Sequence, residues 1–414
     1  MNASHETGYH GHVAFSYLDP AERPSWELAP QRGRVPEYDL DLSDEERTHA
    51  ERLLRDALVI SLHDHPHVYP IDPADIPMYT SAGRVAFAYE GLAGSGLDVV
   101  FDNLSGPTAR IESRLGWTWE DVLHDALMTM CDLSKQDGIC IVKSVDDVHE
   151  ARANGRLGVV LGIEAATCLG SDVDRVDLLY GLGLRQMGLV YNEANMLGGG
   201  LKEFRDGGLT RFGRRVVRRM NQLGMLVDLS HAGDRTTLDA IHASEAPVVI
   251  SHAGARSVWP TERMKPDHVL RELADAGGLI GVQSAPNTTM STAHPKHSIE
   301  SVMDHFEHCV EVMGIDHVTF GPDTLFGDHV GLHHAFSGIF QGTRSAEFTE
   351  TDSESRAGVV EDLQFEEVAY CAGMENPAEN FRNVISWLVK HGYSDDDIAK
   401  VVGGNTLRVL DESW

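Results

Sequence analysis

Short apolar runs alternate along the chain with segments whose apolar residues have helical spacing. Each run is rich in Val, Ile and Leu and has the length of one buried strand. Eight such runs occupy residues 57–65, 96–101, 158–164, 184–192, 224–231, 246–252, 277–282 and 315–323. Eight buried strands that alternate with helices predict a (β/α)8 barrel of the TIM type.

The segments between these runs carry helix signals. Ser43 is followed three residues later by Glu46, which is the capping-box pattern of a helix start. Residues 118–134 predict a helix with Val122, Leu123 and Leu127 turned inward. Residues 232–245 predict the crossover helix of a βαβ unit. The helical pattern thus supports the barrel.

The length indicates one barrel with additions, because 414 residues exceed the about 250 of a typical (β/α)8 barrel. Residues 1–43 are polar and rich in Pro, Gly and His, and they predict an extended N-terminal arm. Residues 44–414 form the predicted barrel. An insertion at about 324–370 is too long for a plain connection and predicts a lid or flap.

Composition narrows the partners and the compartment. The 64 acidic and 34 basic residues give a net charge of -30, so neither nucleic acid nor an anionic membrane is an expected partner. Five cysteines without C-x-x-C spacing fit free thiols in a reducing compartment. The N-terminus lacks a signal-peptide pattern and no apolar run is long enough to cross a bilayer, so we expect a cytoplasmic protein.

Side chains that bind metals stand at the ends of five of the eight runs. Because the carboxyl ends of barrel strands meet at one rim, we expect these side chains to meet there. The first run ends in His-x-His, and residues two apart in a strand point to the same side. The six residues are His63 and His65, Glu164, His231, His252 and Asp323.

Four neutral imidazoles and Glu164 are enough to hold two divalent cations, with two histidines for each and Glu164 shared as a bridge. Such a pair can hold a metal-bridging hydroxide, which is a nucleophile for a carbonyl. Asp323 would then accept the hydroxide's proton and deliver it to a leaving amine. The alternative role for Asp323 is a carboxylate that only supports the ligands or caps the backbone.

Five segments carry more specific motifs, namely Gly162–Glu164, Gly207–Gly213, Met220–His231, Val249–Arg256 and Gly403–Leu410. Together they resemble the membrane dipeptidase (renal dipeptidase) family, whose members are zinc peptidases of the amidohydrolase superfamily. The resemblance extends over about residues 57–411. It implies a (β/α)8 barrel of the amidohydrolase type, a binuclear site with two Zn²⁺ ions, and the hydrolysis of dipeptides.

The resemblance also implies roles for single residues. Glu164 matches the bridging ligand, His231 and His252 match the ligands of one zinc, and Asp323 matches the proton shuttle. Arg263 falls where the family has an arginine that binds the substrate's carboxylate, a role that suits the two-pronged guanidinium.

Two positions differ from the family pattern. The family's first motif is His-x-Asp, whereas here His65 replaces the aspartate, so the site gains one positive charge. The family has a histidine at the end of the fourth strand that steadies the tetrahedral oxyanion, and this chain has Tyr191 there. A phenol can donate the same hydrogen bond.

The main hypothesis is therefore a binuclear metal-dependent hydrolase that cleaves an amide or peptide bond in a small substrate with a free carboxylate. The first alternative is a non-peptidase amidohydrolase, such as an amidase, a lactonase or a carbamate hydrolase. The second is a catalytically silent barrel that binds a small molecule, which a missing ligand or shuttle would indicate. A homo-oligomer is a further expectation, because dimers are common among related barrels.

Overall fold

The computed structural model describes residues 9–23, 25–104, 117–332 and 370–414 of the chain. Residues 1–8 of the predicted arm and residues 333–369 of the predicted insertion lie outside the described residues. Within the described part, no helix combines the length and the apolar character that crossing a bilayer requires.

The strands form one curled, mainly parallel sheet. In chain order they are β1 (Ile60–Val68), β2 (Ala86–Phe87), β3 (Val99–Asn103), β4 (Ile139–Ile141), β5 (Leu157–Ile163), β6 (Gln186–Gly188), β7 (Leu226–Asp228), β8 (Val249–Ala253), β9 (Leu279–Val282), β10 (Val318–Phe320) and β11 (Leu325–Phe326). Of these, β2 pairs only with β1 and β4 pairs only with β5.

The remaining strands make a ring in the order β1, β3, β5, β6, β7, β8, β9 and β10. The ring is closed by β11, which follows β10 directly and pairs in parallel with β1. The last strand of the ring is therefore split in two, with β10 paired to β9 and β11 paired to β1. The prediction of a (β/α)8 barrel is confirmed.

Helices cover the outside of the ring. Those of the described residues are α1 (Asp44–Asp56), α2 (Ile76–Ser81), α3 (Tyr89–Ala93), α4 (Trp119–Leu133), α5 (Val145–Ala153), α6 (Asp174–Leu182), α7 (Arg211–Leu223), α8 (Asp234–Ala243), α9 (Asp267–Asp275), α10 (Ile299–Met313), α11 (Asn380–Lys390), α12 (Asp395–Ala399) and α13 (Asn405–Ser413). The predicted capping box is present at α1, where the Glu46 carboxylate accepts from Ser43 N at 2.7 Å.

Helix α4 buries only part of the side that the sequence predicts, with Val122 buried as expected. Val122, Ala126 and Leu133 are buried, but Leu127 is 50 % exposed. Residues spaced by three and four share one face of a helix, and the face that contains residues 122, 126 and 133 points away from Leu127. The prediction that Leu127 faces inward was wrong.

The side chains of β1 show how the sheet divides apolar and polar residues. Near the start of β1, Ile60 and Leu62 belong to an apolar cluster that includes Val409 and Leu410 of α13. The next residue, His63, is polar, and its imidazole stacks on that of a histidine in β8. The inside of the barrel is therefore polar at the end where its strands terminate.

The described part of the N-terminal segment lies against the barrel. Phe15 N donates a hydrogen bond to Asp132 Oδ1 of α4 at 2.8 Å. Further along, Arg34 forms an ion pair with Glu375, a residue that is 3 % exposed and precedes α11. Residues 9–23 and 25–43 thus contact both α4 and the segment that precedes α11.

Candidate metal centre

The histidines of β1 meet two carboxylates at the rim of the barrel. His63 Nε2 lies 2.9 Å from Glu164 Oε1 and 3.4 Å from Asp323 Oδ1. His65 Nε2 lies 3.3 Å from Asp323 Oδ1 and 3.7 Å from Glu164 Oε1. One ligand atom from each of these four residues lies within 4.8 Å of the others.

A second group of ligand atoms adjoins the first. His231 Nε2 lies 3.0 Å from His252 Nε2, and His252 Nε2 lies 3.6 Å from Glu164 Oε1. Glu164 therefore belongs to both groups. The structure brings together all six side chains that the sequence placed at the rim, with Glu164 in the shared position.

Hydrogen bonds determine which nitrogen of two imidazoles faces the centre. His65 Nδ1 lies 2.9 Å from the backbone oxygen of Asn103, and His231 Nδ1 lies 3.1 Å from Asn192 Oδ1. Both oxygens can only accept, so the ring hydrogen lies on Nδ1. The Nε2 lone pairs are then directed at the centre, as metal ligation requires.

The same residues show charge effects that favour cations. Burial lowers the pKa of His231 and of His252 well below the usual range, so both imidazoles are neutral. Burial also lowers the pKa of His63, but Asp323 and Glu164 outweigh it and raise that pKa to about 10. The two carboxylates thus attract positive charge to the position that His63 faces.

Two features of this centre show that divalent cations fit its residues. The Nε2 atoms of His231 and His252 are only 3.0 Å apart, an arrangement that two neutral imidazoles favour when a cation lies between their lone pairs. Glu164 Oε2 is buried and has no hydrogen-bond partner among the described residues, which is costly unless another group binds it. Imidazole and carboxylate donors suit zinc and similar ions, so the residues fit the expected group.

Asp323 is held by β1 in an unusual backbone conformation. Its φ of 58° lies in the left-handed region, which residues other than glycine adopt infrequently. Asp323 N donates to His63 O at 3.0 Å, and the next residue, Thr324, donates from its backbone nitrogen to Asp64 Oδ1 at 3.0 Å. This turn separates β10 from β11 and directs the Asp323 carboxylate at the imidazoles.

Glu164 is placed by a close approach of two strands. It follows β5 directly, and the neighbouring strand β6 ends at Gly188. A Cβ atom at Gly188 would lie 1.8 Å from the backbone oxygen of Glu164. Only glycine allows this approach, so a residue without a side chain fixes the position of the shared carboxylate.

Tyr191 and Arg263 lie at the edge of the centre. The Tyr191 ring stacks on the His231 imidazole with ring centroids 4.0 Å apart, and burial raises the pKa of Tyr191 well above its usual range. Tyr191 therefore remains a phenol that can donate. Arg263 Nη2 lies 4.0 Å from Asp323 Oδ2 and donates to Gln283 Oε1 at 2.6 Å.

Sequence reasoning missed several polar residues that support the centre. Asp64 holds the turn at Thr324, and Gln283 holds Arg263. The sequence contained a signal for Gln283, because it directly follows the seventh apolar run. The predicted ligands stand at the ends of their own runs in a similar way. The other missed residues are Asn103, Asp228 and Ser251.

Residues 120–339 match the model of the membrane dipeptidase family, peptidase family M19. Among curated proteins, the chain is 28 % identical to dipeptidase tcpJ of Claviceps purpurea over 278 residues, which cover 67 % of this chain and 56 % of that protein. It is 32 % identical over 214 residues to the uncharacterized dipeptidase C965.12 of Schizosaccharomyces pombe, with 50 % and 48 % covered. The chain spans about half the length of these relatives.

Solved structures share the fold. An amidohydrolase from Pseudomonas aeruginosa superposes with a TM-score of 0.67 at 23 % identity, covering 88 % of this chain and 99 % of that one. A metallo peptidase from Rhodobacter sphaeroides, liganded with a phosphinate mimic of the dipeptide L-Ala-D-Ala, gives a TM-score of 0.64 at 18 % identity, with 87 % and 100 % covered. Both solved structures thus share the barrel fold of this chain.

Proposed function

Because the chain belongs to the membrane dipeptidase family, we propose that it is a metal-dependent hydrolase that cleaves the peptide bond of dipeptides. The observation that carries this proposal is the position of Glu164. A single carboxylate oxygen lies 2.9 Å from His63 Nε2 and 3.6 Å from His252 Nε2, between the two groups of ligand atoms. A carboxylate between the two groups could be a ligand that two cations share.

The proposed cation ligands are the residues that converge on Glu164. One cation would be held by His63, His65 and Glu164, and the other by Glu164, His231 and His252. We propose zinc, because neutral imidazoles and a carboxylate are typical zinc donors. Bound divalent cations supply Lewis-acid polarisation of the substrate carbonyl and make water a nucleophile at neutral pH.

Exposure supports different roles for the two carboxylates. The side chain of Glu164 is 2 % exposed, whereas that of Asp323 is 14 % exposed and therefore open to a substrate. In the proposed reaction, Asp323 accepts the proton of the attacking water and delivers it to the leaving amine, acting first as a general base and then as a general acid.

The groups beside the centre would bind the rest of the substrate. The Arg263 side chain is 15 % exposed, and its guanidinium suits a two-pronged contact with the free carboxylate of a dipeptide. The Tyr191 hydroxyl would donate a hydrogen bond to the oxyanion that forms when the carbonyl is attacked. Together these residues favour a small substrate with a carboxylate next to the scissile bond.

A substrate panel tests the proposal. The metal-free protein is reloaded with Zn²⁺ and assayed on dipeptides, on the same dipeptides with an amidated C-terminus, on N-acyl amino acids and on lactones. We expect about two zinc ions per chain and turnover of dipeptides that amidation strongly reduces, because amidation removes the charge that Arg263 binds.

The other outcomes of the panel identify the alternatives. Turnover confined to lactones or N-acyl substrates would replace the dipeptidase with a non-peptidase amidohydrolase. A protein that takes up no metal and turns over none of these substrates would be a small-molecule-binding barrel instead.

We also propose that the protein works in a reducing compartment, such as the cytoplasm. All five cysteines are free thiols, and three of them (Cys168, Cys309 and Cys371) are buried. Free thiols of this kind are typical of proteins in reducing surroundings.

A further inference from the structure

A third carboxylate lies behind the centre. Asp228, at the end of β7, is 2 % exposed. Its Oδ1 accepts from Ser230 Oγ at 2.6 Å and from Ser251 N at 3.0 Å. Its Oδ2 accepts from Gln186 Nε2 at 3.0 Å and from the hydroxyl of Ser251. Every one of these partners donates, which suits an ionised acceptor.

Ser251 connects this carboxylate to an imidazole. Its single hydroxyl hydrogen is donated to Asp228, so the Ser251 oxygen can only accept from its other neighbours. His252 Nδ1 lies 2.8 Å from this oxygen. The hydrogen of the His252 ring therefore lies on Nδ1, and its Nε2 faces Glu164 and His231.

We propose that Asp228 and Ser251 form a relay that fixes the tautomer and the orientation of His252, and thereby sets the affinity of the cation position built from Glu164, His231 and His252. This inference rests on the proposed function, since it requires that the centre binds cations. Asp228 and Ser251 are positioning residues, because they act on the cation only through His252.

The two cation positions depend on the relay to different degrees. Ser251 is the hydrogen-bond partner of His252 Nδ1, whereas His63 Nδ1 lies 3.3 Å from Ser251 Oγ and only 2.7 Å from the Asn103 side chain. Loss of the Ser251 hydroxyl leaves His63 with Asn103. The position that contains His252 should therefore weaken selectively.

Zinc titration of the metal-free protein by calorimetry, repeated with Co²⁺ to follow its visible spectrum, tests the relay. We expect the wild type to bind two ions per chain. In Ser251→Ala, one ion should bind as in the wild type, and the other should bind ~10–100-fold more weakly, as is typical when the partner of a ligating histidine is lost. Asp228→Asn, which keeps the volume and removes the charge, should weaken the same ion.

Gln186→Met is the matched control, because Gln186 donates to the same carboxylate but has no hydrogen bond to an imidazole among the described residues. It should bind both ions as the wild type does. Thermal unfolding of the metal-free variants shows whether a variant has lost its fold or only its affinity for zinc. If Ser251→Ala does not fold, Asp228→Asn provides the test.

Two results would overturn the inference in distinguishable ways. A wild type with two ions and a folded Ser251→Ala with unchanged affinity for both would overturn the relay alone. A wild type that binds no zinc would overturn both the relay and the proposed function.

Discussion

Asp323 combines the two properties that a proton-transferring carboxylate needs. The Asp323 side chain is partly exposed to solvent, in contrast to that of Glu164. Hydrogen bonds to two residues of β1 fix its position. His63 O and the Asp64 side chain hold the backbone of the turn, so the left-handed φ of Asp323 is maintained by its neighbours. The residue that we propose moves the proton thus has a strained backbone that its neighbours stabilise.

Asp323→Asn should therefore retain two zinc ions but lose most of its activity. Asparagine has the same shape and tolerates a left-handed backbone, but it cannot accept a proton from water. We expect kcat to fall by about 10²–10⁴-fold, measured by steady-state kinetics beside metal analysis. The control is Asp316→Asn, because Asp316 is 61 % exposed and forms an ion pair with Lys400 on the surface. Unchanged turnover in Asp323→Asn would show that another group transfers the proton.

At this scale, the sequence predicts best the residues that stand near the end of a short apolar run. His63, Glu164 and His252 needed no contact information, because the barrel topology alone brings strand ends to one rim. Arg263 lies in a loop, where no strand pattern predicts the position of its side chain. Only the family resemblance indicated it. Asp64 could not be predicted, because its partner Thr324 is 260 residues away and meets it only when the ring closes.

Among the elements, the junction of β5 and β6 determines the position of the shared carboxylate. The strands approach so closely at Gly188 that a single added carbon would overlap the Glu164 backbone. A packed sheet can relieve such an overlap only by moving a strand, and interiors at crystal-like density resist that movement.

Gly188→Ala should consequently destabilise the barrel by about 1–3 kcal/mol and weaken zinc binding, because Glu164 must shift. Urea unfolding of the metal-free protein and zinc titration measure the two effects. The matched control is Gly181→Ala in α6, where no atom lies within 4 Å of the added carbon. That helical replacement should stabilise the protein by about 0.5–1 kcal/mol. Equal stability of the two variants would contradict the proposed steric role.

The elements themselves were predicted as far as their signals were local. Helix α7 begins after its Thr210 cap and ends at Gly224, which has a φ of 73°, so its bounds follow from the sequence. The fourth run predicted a strand over residues 184–192, but β6 covers only Gln186–Gly188, because the chain then leaves the sheet. Strands β2 and β4 have two or three residues each, too few to produce a pattern.

For the whole molecule, the proposed cations are part of the folded state. Zinc held by residues at the ends of four different strands of the ring binds the native chain and has no comparable site in an unfolded chain. Binding then adds stability by mass action, by about 2.7 kcal/mol at a free concentration of 100 times Kd.

Removal of metal should accordingly lower Tm, and Tm should rise again with the concentration of added Zn²⁺. Differential scanning calorimetry measures this. Mg²⁺ at the same concentration is the control, because it screens the net charge of -30 equally but binds imidazole poorly. Equal Tm increases with both ions would indicate screening of surface charge instead of binding at the centre.

The split in the last strand of the ring has one more consequence. Asp323 stands at the break between β10, which pairs with β9, and β11, which pairs with β1. The junction that closes the barrel is therefore also the turn that positions the acid-base group. On the proposed function, a chain whose barrel is not yet closed cannot position this group and is therefore inactive. Peptide cleavage then requires a fully closed barrel.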